Sequence, residues 1–410
     1  MSHPLPSSPS GVTEQANGFN WDGHSLEPGI GIALSGGGFR AMLFHAGALL
    51  RLNELGLLSR AARISSVSGG SIASGYLAHV WSELGPPNAA GAFTPFQQKY
   101  VEPILTFSRE KIDVGDILTG LLPWTSAAEQ VTASYDRALF HNATLQTIPD
   151  QPQFVFCATN LQTGVLFRFS KPYAGDYIMG RLDKPDLPVS KAVTASSAFP
   201  PFLSPLALAL PAGSFTDWPG QPAGAGGVID PAPFRERVLL SDGGVYDNHG
   251  LEPIVKRYMT LLVSDGGAPF ARTPQVATDP IRQLQRVFDV TDGQVRSLRR
   301  RDLITRFQLA KKANLQPDQI DPQARFGTYW GIDTDPTKVA PAGALPVGAA
   351  IVDNLAHLPT RLSDLGNVES KQLINWGYAI CDRCVRTYYN VPALQQNPVP
   401  QWPYPDAQLG

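Results

Sequence analysis

Gly31-Ile32-Ala33-Leu34-Ser35-Gly36-Gly37-Gly38-Phe39-Arg40-Ala41-Met42, followed after one helical stretch by Arg63-Ile64-Ser65-Ser66-Val67-Ser68-Gly69-Gly70-Ser71, decides how this 410-residue chain is read. Each segment is a short β-prone run, Ile30 to Leu34 and Ile64 to Val67, that meets glycines and then continues with helical apolar spacing. Strand, turn and helix therefore follow in that order twice, which predicts an α/β fold. Both helix N-termini then sit at the carboxyl edge of one sheet, where ligands bind.

The second turn has the make-up of a nucleophile site. A serine hydroxyl is a weak nucleophile and needs an exposed, strained turn, a neighbouring base and donors for the oxyanion. Ser68 has Gly69 and Gly70 after it, which permit a tight turn and close backbone approach, and an apolar strand before it. The first position of the usual Gly-x-Ser-x-Gly elbow is Ser66 in this chain, the next smallest polar choice. Ser65, Ser66 and Ser71 lack this combination of flanking strand and glycines.

The first turn supplies a complement. Gly36, Gly37 and Gly38 lack Cβ atoms, so successive N–H groups can share a concavity at the positive end of a helix, suited to an oxyanion or a phosphate. Arg40 lies just inside that helix, either as a solvated first-turn residue or as a lock on the loop or a magnet for an anionic head group. Among the seven histidines none has a setting that marks a triad, although triad members need only meet in space. Asp242, at the end of an apolar run and followed by Gly243 and Gly244, offers a different base: a partly dry aspartate with a raised pKa can take the serine proton itself. Ser264-Asp265-Gly266-Gly267 repeats that tetrapeptide and is its rival.

Gly36-Gly37-Gly38-Phe39-Arg40, Ser66-Val67-Ser68-Gly69-Gly70 and Asp242-Gly243-Gly244, in this order, resemble the patatin-like phospholipases, a family of lipid acyl hydrolases. Ala158-Thr159-Asn160-Leu161-Gln162-Thr163-Gly164 and Ala195-Ser196-Ser197-Ala198-Phe199-Pro200 agree, so the resemblance covers about residues 30 to 265. It implies a three-layer α/β/α fold with a mainly parallel central sheet, a Ser-Asp dyad, an acyl-enzyme intermediate and neither metal nor cofactor. Ser68 becomes the nucleophile, Asp242 the general base and the Gly36 to Gly38 turn with Arg40 the oxyanion hole. Asp242 is preferred over Asp265 because Val245-Tyr246-Asp247-Asn248 and then Pro253 resemble the family's continuation. Two readings compete with an ester hydrolase. One is a catalytically idle lipid-binding or regulatory module on the same scaffold. The other is a dinucleotide site, since Gly36 to Ala41 fits Gly-x-Gly-x-x-Ala, but Ser66 to Gly69 stands where that fold wants an acidic residue for the ribose.

Composition narrows the rest. A formal net charge of −2 offers no basic surface for nucleic acid, and the longest basic run, Arg299 to Arg301, decorates a helix or meets anionic lipid. Three cysteines, no membrane-length apolar run and an N-terminus without a basic-then-apolar leader point to a cytoplasmic chain, with peripheral contact at a membrane surface as an option and oligomeric state open. Cys381-x-x-Cys384 falls in a buried helical pattern and not in a metal site.

Along the chain, residues 1–28 read as irregular with Trp21 as an anchor, 29–390 as the catalytic domain with a helical C-terminal part over 280–390, and 391–410 as a Pro-rich tail. Residues 117–124 and 200–233 are apolar, Gly- and Pro-broken stretches that suit either a lid and rim or ordinary packing. Residues 280–313 form one long basic amphipathic helix, with Leu284, Val287, Phe288, Val295, Leu298, Leu303, Ile304 and Phe307 expected to pack on the core.

Overall fold

Strand β1 (Glu27–Leu34) is buried from Ile30 onward on both faces, as a strand inside a parallel sheet must be. The computed structural model describes residues 25–110, 112, 124–218, 231–316, 318–389 and 398–410. Around β1 the parallel neighbours are β2 (Ala61–Val67), β3 (Gln153–Asn160), β10 (Tyr258–Asp265) and β11 (Phe326–Gly331), in the order β11-β10-β1-β2-β3. Beyond β3 the sheet turns antiparallel through β4 (Val165–Phe169), β5 (Tyr173–Asp176), β6 (Gly180–Asp183) and β8 (Phe215–Thr216). A short branch of β7 (Leu206–Leu208) and β9 (Val238–Asp242) joins at β3.

The period of two along the strands sorts side chains into two layers. Ile32, Leu34 and Leu262 enter the large cluster with Met42, Leu49 and Ile374, whereas Ala33, Leu261 and Val263 pack opposite with Leu251, Ile254 and Leu303. Helices thus cover both faces, and the α/β/α expectation holds.

Helix α1 (Gly38–Glu54) is buried almost all round because α2 (Gly69–Val80) and the long α5 (Asn367–Tyr388) lie against it; α3 (Val189–Ser196) and α4 (Pro280–Lys312) complete the helices that matter for the site. α1 and α5 touch backbone to backbone. A Cβ on Gly47 would overlap the Ile374 carbonyl oxygen and stand 2.9 Å from the Tyr378 nitrogen, and one on Gly377 would overlap the Phe44 carbonyl. Helix propensity alone says Gly→Ala gains about 1 kcal/mol. Overpacking costs about 1–3 kcal/mol and wins, so Gly47→Ala and Gly377→Ala are each expected to lower the urea midpoint. Midpoints at or above that of the wild type would refute this crossing.

Several expectations are corrected. Residues 398–410 are not a free tail: Leu409 is fully buried, and Asn375 Nδ2 donates to the Tyr404 and Ala407 carbonyls at 2.8 and 2.9 Å. The 280–390 part is not purely helical, since it contains β11, which extends the parallel sheet. The 200–233 stretch sends Leu206, Leu208 and Trp218 inward, while its residues 219–230 lie outside the described residues, as do Trp21 and 117–123. Helix α4 packs through Leu303 and Ala310 but leaves Leu284, Val287, Phe288 and Leu298 in solvent, because its first half projects past the layers it would have to cover. Among the described residues no helix is long and apolar enough to cross a membrane.

Candidate active site

Two strands that run in opposite directions meet end to end on the same edge of β3. β2 pairs in parallel up to Val67 opposite Cys157, and β9 pairs antiparallel from Asp242 opposite the next residue, Ala158. The residues at the two carboxyl ends, Ser68 and Asp242, are therefore set against each other by one step of β3. Their side chains are near neighbours: the Ser68 hydroxyl lies close enough to the Asp242 carboxyl to favour its ionised form.

Ser68 is the N-cap of α2 and has φ 52° and ψ −121°, a conformation that costs a non-glycine residue about 1–3 kcal/mol. The surroundings hold it there. A Cβ on Gly70 would come 2.6 Å from the Ser35 carbonyl oxygen, and one on Gly69 would overlap the Gly38 backbone, so both glycines are required by close approach. The Ser68 N–H donates to Ser196 Oγ at 3.0 Å, and Ser196 Oγ donates to the Cys157 carbonyl at 2.6 Å. Ser71 joins Ser196 at 2.8 Å, Ser66 joins Ser71 at 3.0 Å and Ser74 joins Ser66 at 2.7 Å, a buried chain of hydroxyls beneath the turn. Ser66 thus uses its hydroxyl where the usual elbow has glycine.

The end of α3 braces both partners at once. Besides the Ser196 hydroxyl on Ser68, the Ser196 carbonyl accepts from Gly243 N–H at 3.2 Å and the Ala198 carbonyl from Asp242 N–H at 2.8 Å. The Asp242 carboxyl accepts from Gly244 N–H at 2.7 Å. Burial pushes its pKa up to about 6, against the opposing pull of the Gly244 N–H and of the nearby Ser68 hydroxyl. Asp242 is buried, with 7% of the residue exposed. It is more basic than a surface aspartate yet ionised at neutral pH.

The Gly36 to Gly38 turn lies alongside. A Cβ on Gly36 would stand 3.1 Å from Ser68 Cβ, and Gly37 and Gly38 have φ of 141° and 62°. The three donors are not equivalent: Gly36 N–H is already given to the Asn248 carbonyl at 3.0 Å. Arg40 is not solvated, and its Nη2 lies beside Gly37 with no hydrogen-bond partner among the described residues. It is fully buried, its Nε donates to the Gly266 carbonyl at 3.2 Å and its Nη1 to the Leu358 carbonyl, so it locks the turn to two other loops. Burial lowers its pKa to about 10.

Asp265 ends β10, on the far side of β1, and its carboxylate is fully engaged elsewhere. It accepts from Tyr329 Oη at 2.7 Å and Gly267 N–H at 2.9 Å, and meets His249 Nε2 at 3.0 Å and Arg296 Nη2 at 3.2 Å. Despite burial, Arg296 and His249 hold this carboxyl well below the usual carboxylate range. Of the described histidines, His45 is buried between Ser264 Oγ at 2.8 Å and the Ser35 carbonyl at 2.9 Å, and burial lowers its pKa to about 4. Ser196, Ala198 and Asn248 carry more of the geometry than their sequence suggests. Only the Ala195 to Pro200 motif and the Asn248 continuation hinted at them.

Among the described residues no group of three or more His, Cys, Asp or Glu side chains could hold a metal ion. Cys157, Cys381 and Cys384 are buried free thiols, with burial pushing Cys157 and Cys384 up to about 12.

The family model described as patatin-like phospholipase matches residues 32–255, which contain every group named at the Ser68 and Asp242 pair. No curated protein sequence matches the chain. Among solved structures, human GIVD cytosolic phospholipase A2 is similar at 13% identity and TM-score 0.51, over 93% of this chain and 64% of that one. The same human protein in complex with methyl gamma-linolenyl fluorophosphonate aligns at 16% identity and TM-score 0.49, over 94% and 61%. VipD from Legionella pneumophila aligns at 12% identity and TM-score 0.33, over 88% and 67%. This chain therefore spans less than two thirds of the length of the human enzyme, and the likeness concerns the fold.

Proposed function

The chain belongs to the patatin-like phospholipase family, and from that premise we propose that it is a serine acyl hydrolase that cleaves carboxylic esters of lipids with Ser68 and Asp242. The observation that carries this reading is that β2 and β9 abut on β3, which sets Ser68, on its strained turn, against Asp242, a buried carboxyl whose pKa is raised to about 6. Such a carboxylate is largely ionised at pH 7 and basic enough to share in proton transfer.

Asp242 takes the proton of Ser68 as Oγ attacks the ester carbonyl, and the negative charge that develops on the carbonyl oxygen falls beside the Gly36 to Gly38 turn. With Gly36 N–H given to Asn248, the Gly37 and Gly38 N–H groups are the donors left for that oxyanion, aided by the positive end of α1. Asp242 returns the proton to the departing alcohol, which leaves an acyl group on Ser68. Water then attacks the acyl carbonyl with Asp242 again as base, and the fatty acid departs as Ser68 is restored. Ser196 acts as a positioning residue, since it holds the Ser68 backbone and not the substrate.

The test is a nitrophenyl-ester assay across pH combined with acid quenching and mass spectrometry of the enzyme. Because the base must be deprotonated, kcat/KM is expected to fall about tenfold per pH unit below pH 6 and to level off above it. An acyl adduct is expected on the peptide that contains Ser68. Ester turnover with no adduct there, and a rate that does not respond between pH 5 and 7, would sink the dyad reading.

A further inference from the structure

Helix α4 is 33 residues long, yet Leu303 and Ala310 are its only buried residues. Residues 281–291 are almost all exposed, and one side of the helix is apolar and open: Ile281 is 80% exposed, Leu284 72% and Val287 62%, with Phe288 beside them and Leu298, further along, 55%. Ile281, Leu284, Phe288 and Leu298 fall within a single stripe at helical spacing. Phe270, on the segment that leads into the helix, lies under the Arg286 guanidinium on the other side and is not part of this stripe. Isolated surface leucines need no explanation, but a contiguous apolar stripe of this length does.

Charge accompanies the stripe. Residues 280–312 hold nine Lys and Arg against three Asp, so the helix has a formal charge of +6 in a chain of net −2, and the remainder sums to −8. The helix is also tied to the candidate active site. Arg296 binds Asp265 and the Ala268 carbonyl, and Arg299 binds Asp247 and the Tyr246 carbonyl just beyond Asp242. Asp292 is near enough for its charge to act on Asp242. Along the axis, Phe288 and Leu284 are about 6 and 12 Å from Asp292.

We propose that the apolar stripe of α4 is a docking face for the surface of a bilayer that carries anionic lipid, and that it sets the Ser68 site at that surface. The stripe fits the apolar boundary beneath the head groups, and the flanking arginines fit the head groups themselves. A second copy of the chain fits less well, because a symmetric pairing of the two helices would bring +6 against +6. This inference rests on the lipid hydrolase reading for its purpose, but not for its test.

The experiment is cosedimentation of the full chain with phosphatidylcholine vesicles and with mixed phosphatidylcholine–phosphatidylglycerol vesicles. It compares wild type, Leu284→Asp/Phe288→Asp and Arg282→Glu/Arg301→Glu, and it follows hydrolysis of a water-soluble nitrophenyl ester in parallel. Wild type is expected to bind the mixed vesicles about tenfold or more tightly than phosphatidylcholine alone. Each double variant is expected to lose about tenfold or more of that binding while its soluble-ester rate and circular dichroism stay unchanged. Wild type left in the supernatant with mixed vesicles would overturn the docking face, as would variants that bind as wild type does. The same holds if the apolar variant turns a dimer into a monomer, by sedimentation velocity, without altering vesicle binding. Vesicle binding by a wild type that hydrolyses no ester would support the docking face and remove the hydrolase reading, so the two fail separately.

Discussion

Ser68→Ala is expected to lower ester hydrolysis at least about a thousandfold, and Asp242→Asn by a similar factor, since a nucleophile and its base act as a unit. Asparagine keeps the shape at position 242 and can still accept from Gly244 N–H, but it cannot take a proton. The double variant is expected to be no slower than either single one, and additive losses would argue against direct cooperation. Stability should move the other way. A folded-state pKa raised to about 6 means that protonation favours the folded chain, so the contribution is present below the unfolded value near 4 and is lost as pH rises through 6. At pH 8 the ionised, desolvated carboxylate costs up to about 3 kcal/mol, from two pKa units at about 1.4 kcal/mol each. Asp242→Asn should thus unfold no more easily than wild type at pH 8, measured by urea denaturation, and lose any advantage at pH 5. An inactive, folded wild type would redirect attention to the idle lipid-binding scaffold.

Asp265→Ala is expected to destabilise the chain by about 3–5 kcal/mol at pH 7, because it leaves Arg296 and His249 without the carboxylate they share. Tyr329 Oη loses its acceptor as well. Here the sign is opposite to that of Asp242. The folded pKa lies well below the usual range, so the stabilisation is present above the unfolded value near 4 and disappears as pH falls through the folded value. The gap between wild type and variant in urea midpoint should be widest near neutral pH and narrow in acid. Whatever fraction stays folded should retain soluble-ester activity, since Asp265 bonds no group of the Ser68 and Asp242 pair among the described residues. Equal midpoints at pH 7 would show that the four-way contact contributes nothing net.

The two Ser-Asp-Gly-Gly segments show where sequence reading stops. Ser241 to Gly244 and Ser264 to Gly267 are identical, and each follows an apolar strand, so local chemistry cannot rank them. What separates them is tertiary: β9 runs against β3 and ends at Ser68, whereas β10 runs with β1 and ends at Arg296. By contrast, the units around Gly36 to Gly38 and Ser68 to Gly70 are legible because strand, turn and helix are neighbours in the chain and the glycines mark the close approaches. Ser196 was legible only as part of a resemblance, since its partner Ser68 is 128 residues away. The period of α4 fixes which residues share a stripe, but not whether anything covers it. Residues 398–410 have no period at all, and only burial of Leu409 and the Asn375 hydrogen bonds reveal that they close over α5.

Because β2 and β9 abut on β3, with Val67 at Cys157 and Asp242 at Ala158, the third strand works as a ruler whose gradation is one residue, about 3.3 Å. Inserting or deleting a residue within β9 would shift Asp242 along that ruler and flip its side chain to the other face. The connection ahead of β9 has no such constraint, since lengthening a loop adds closure entropy only slowly. Descendants of this chain, natural or engineered, are therefore free to vary the length of what precedes Val238, and are held to a fixed count from Val238 to Asp242.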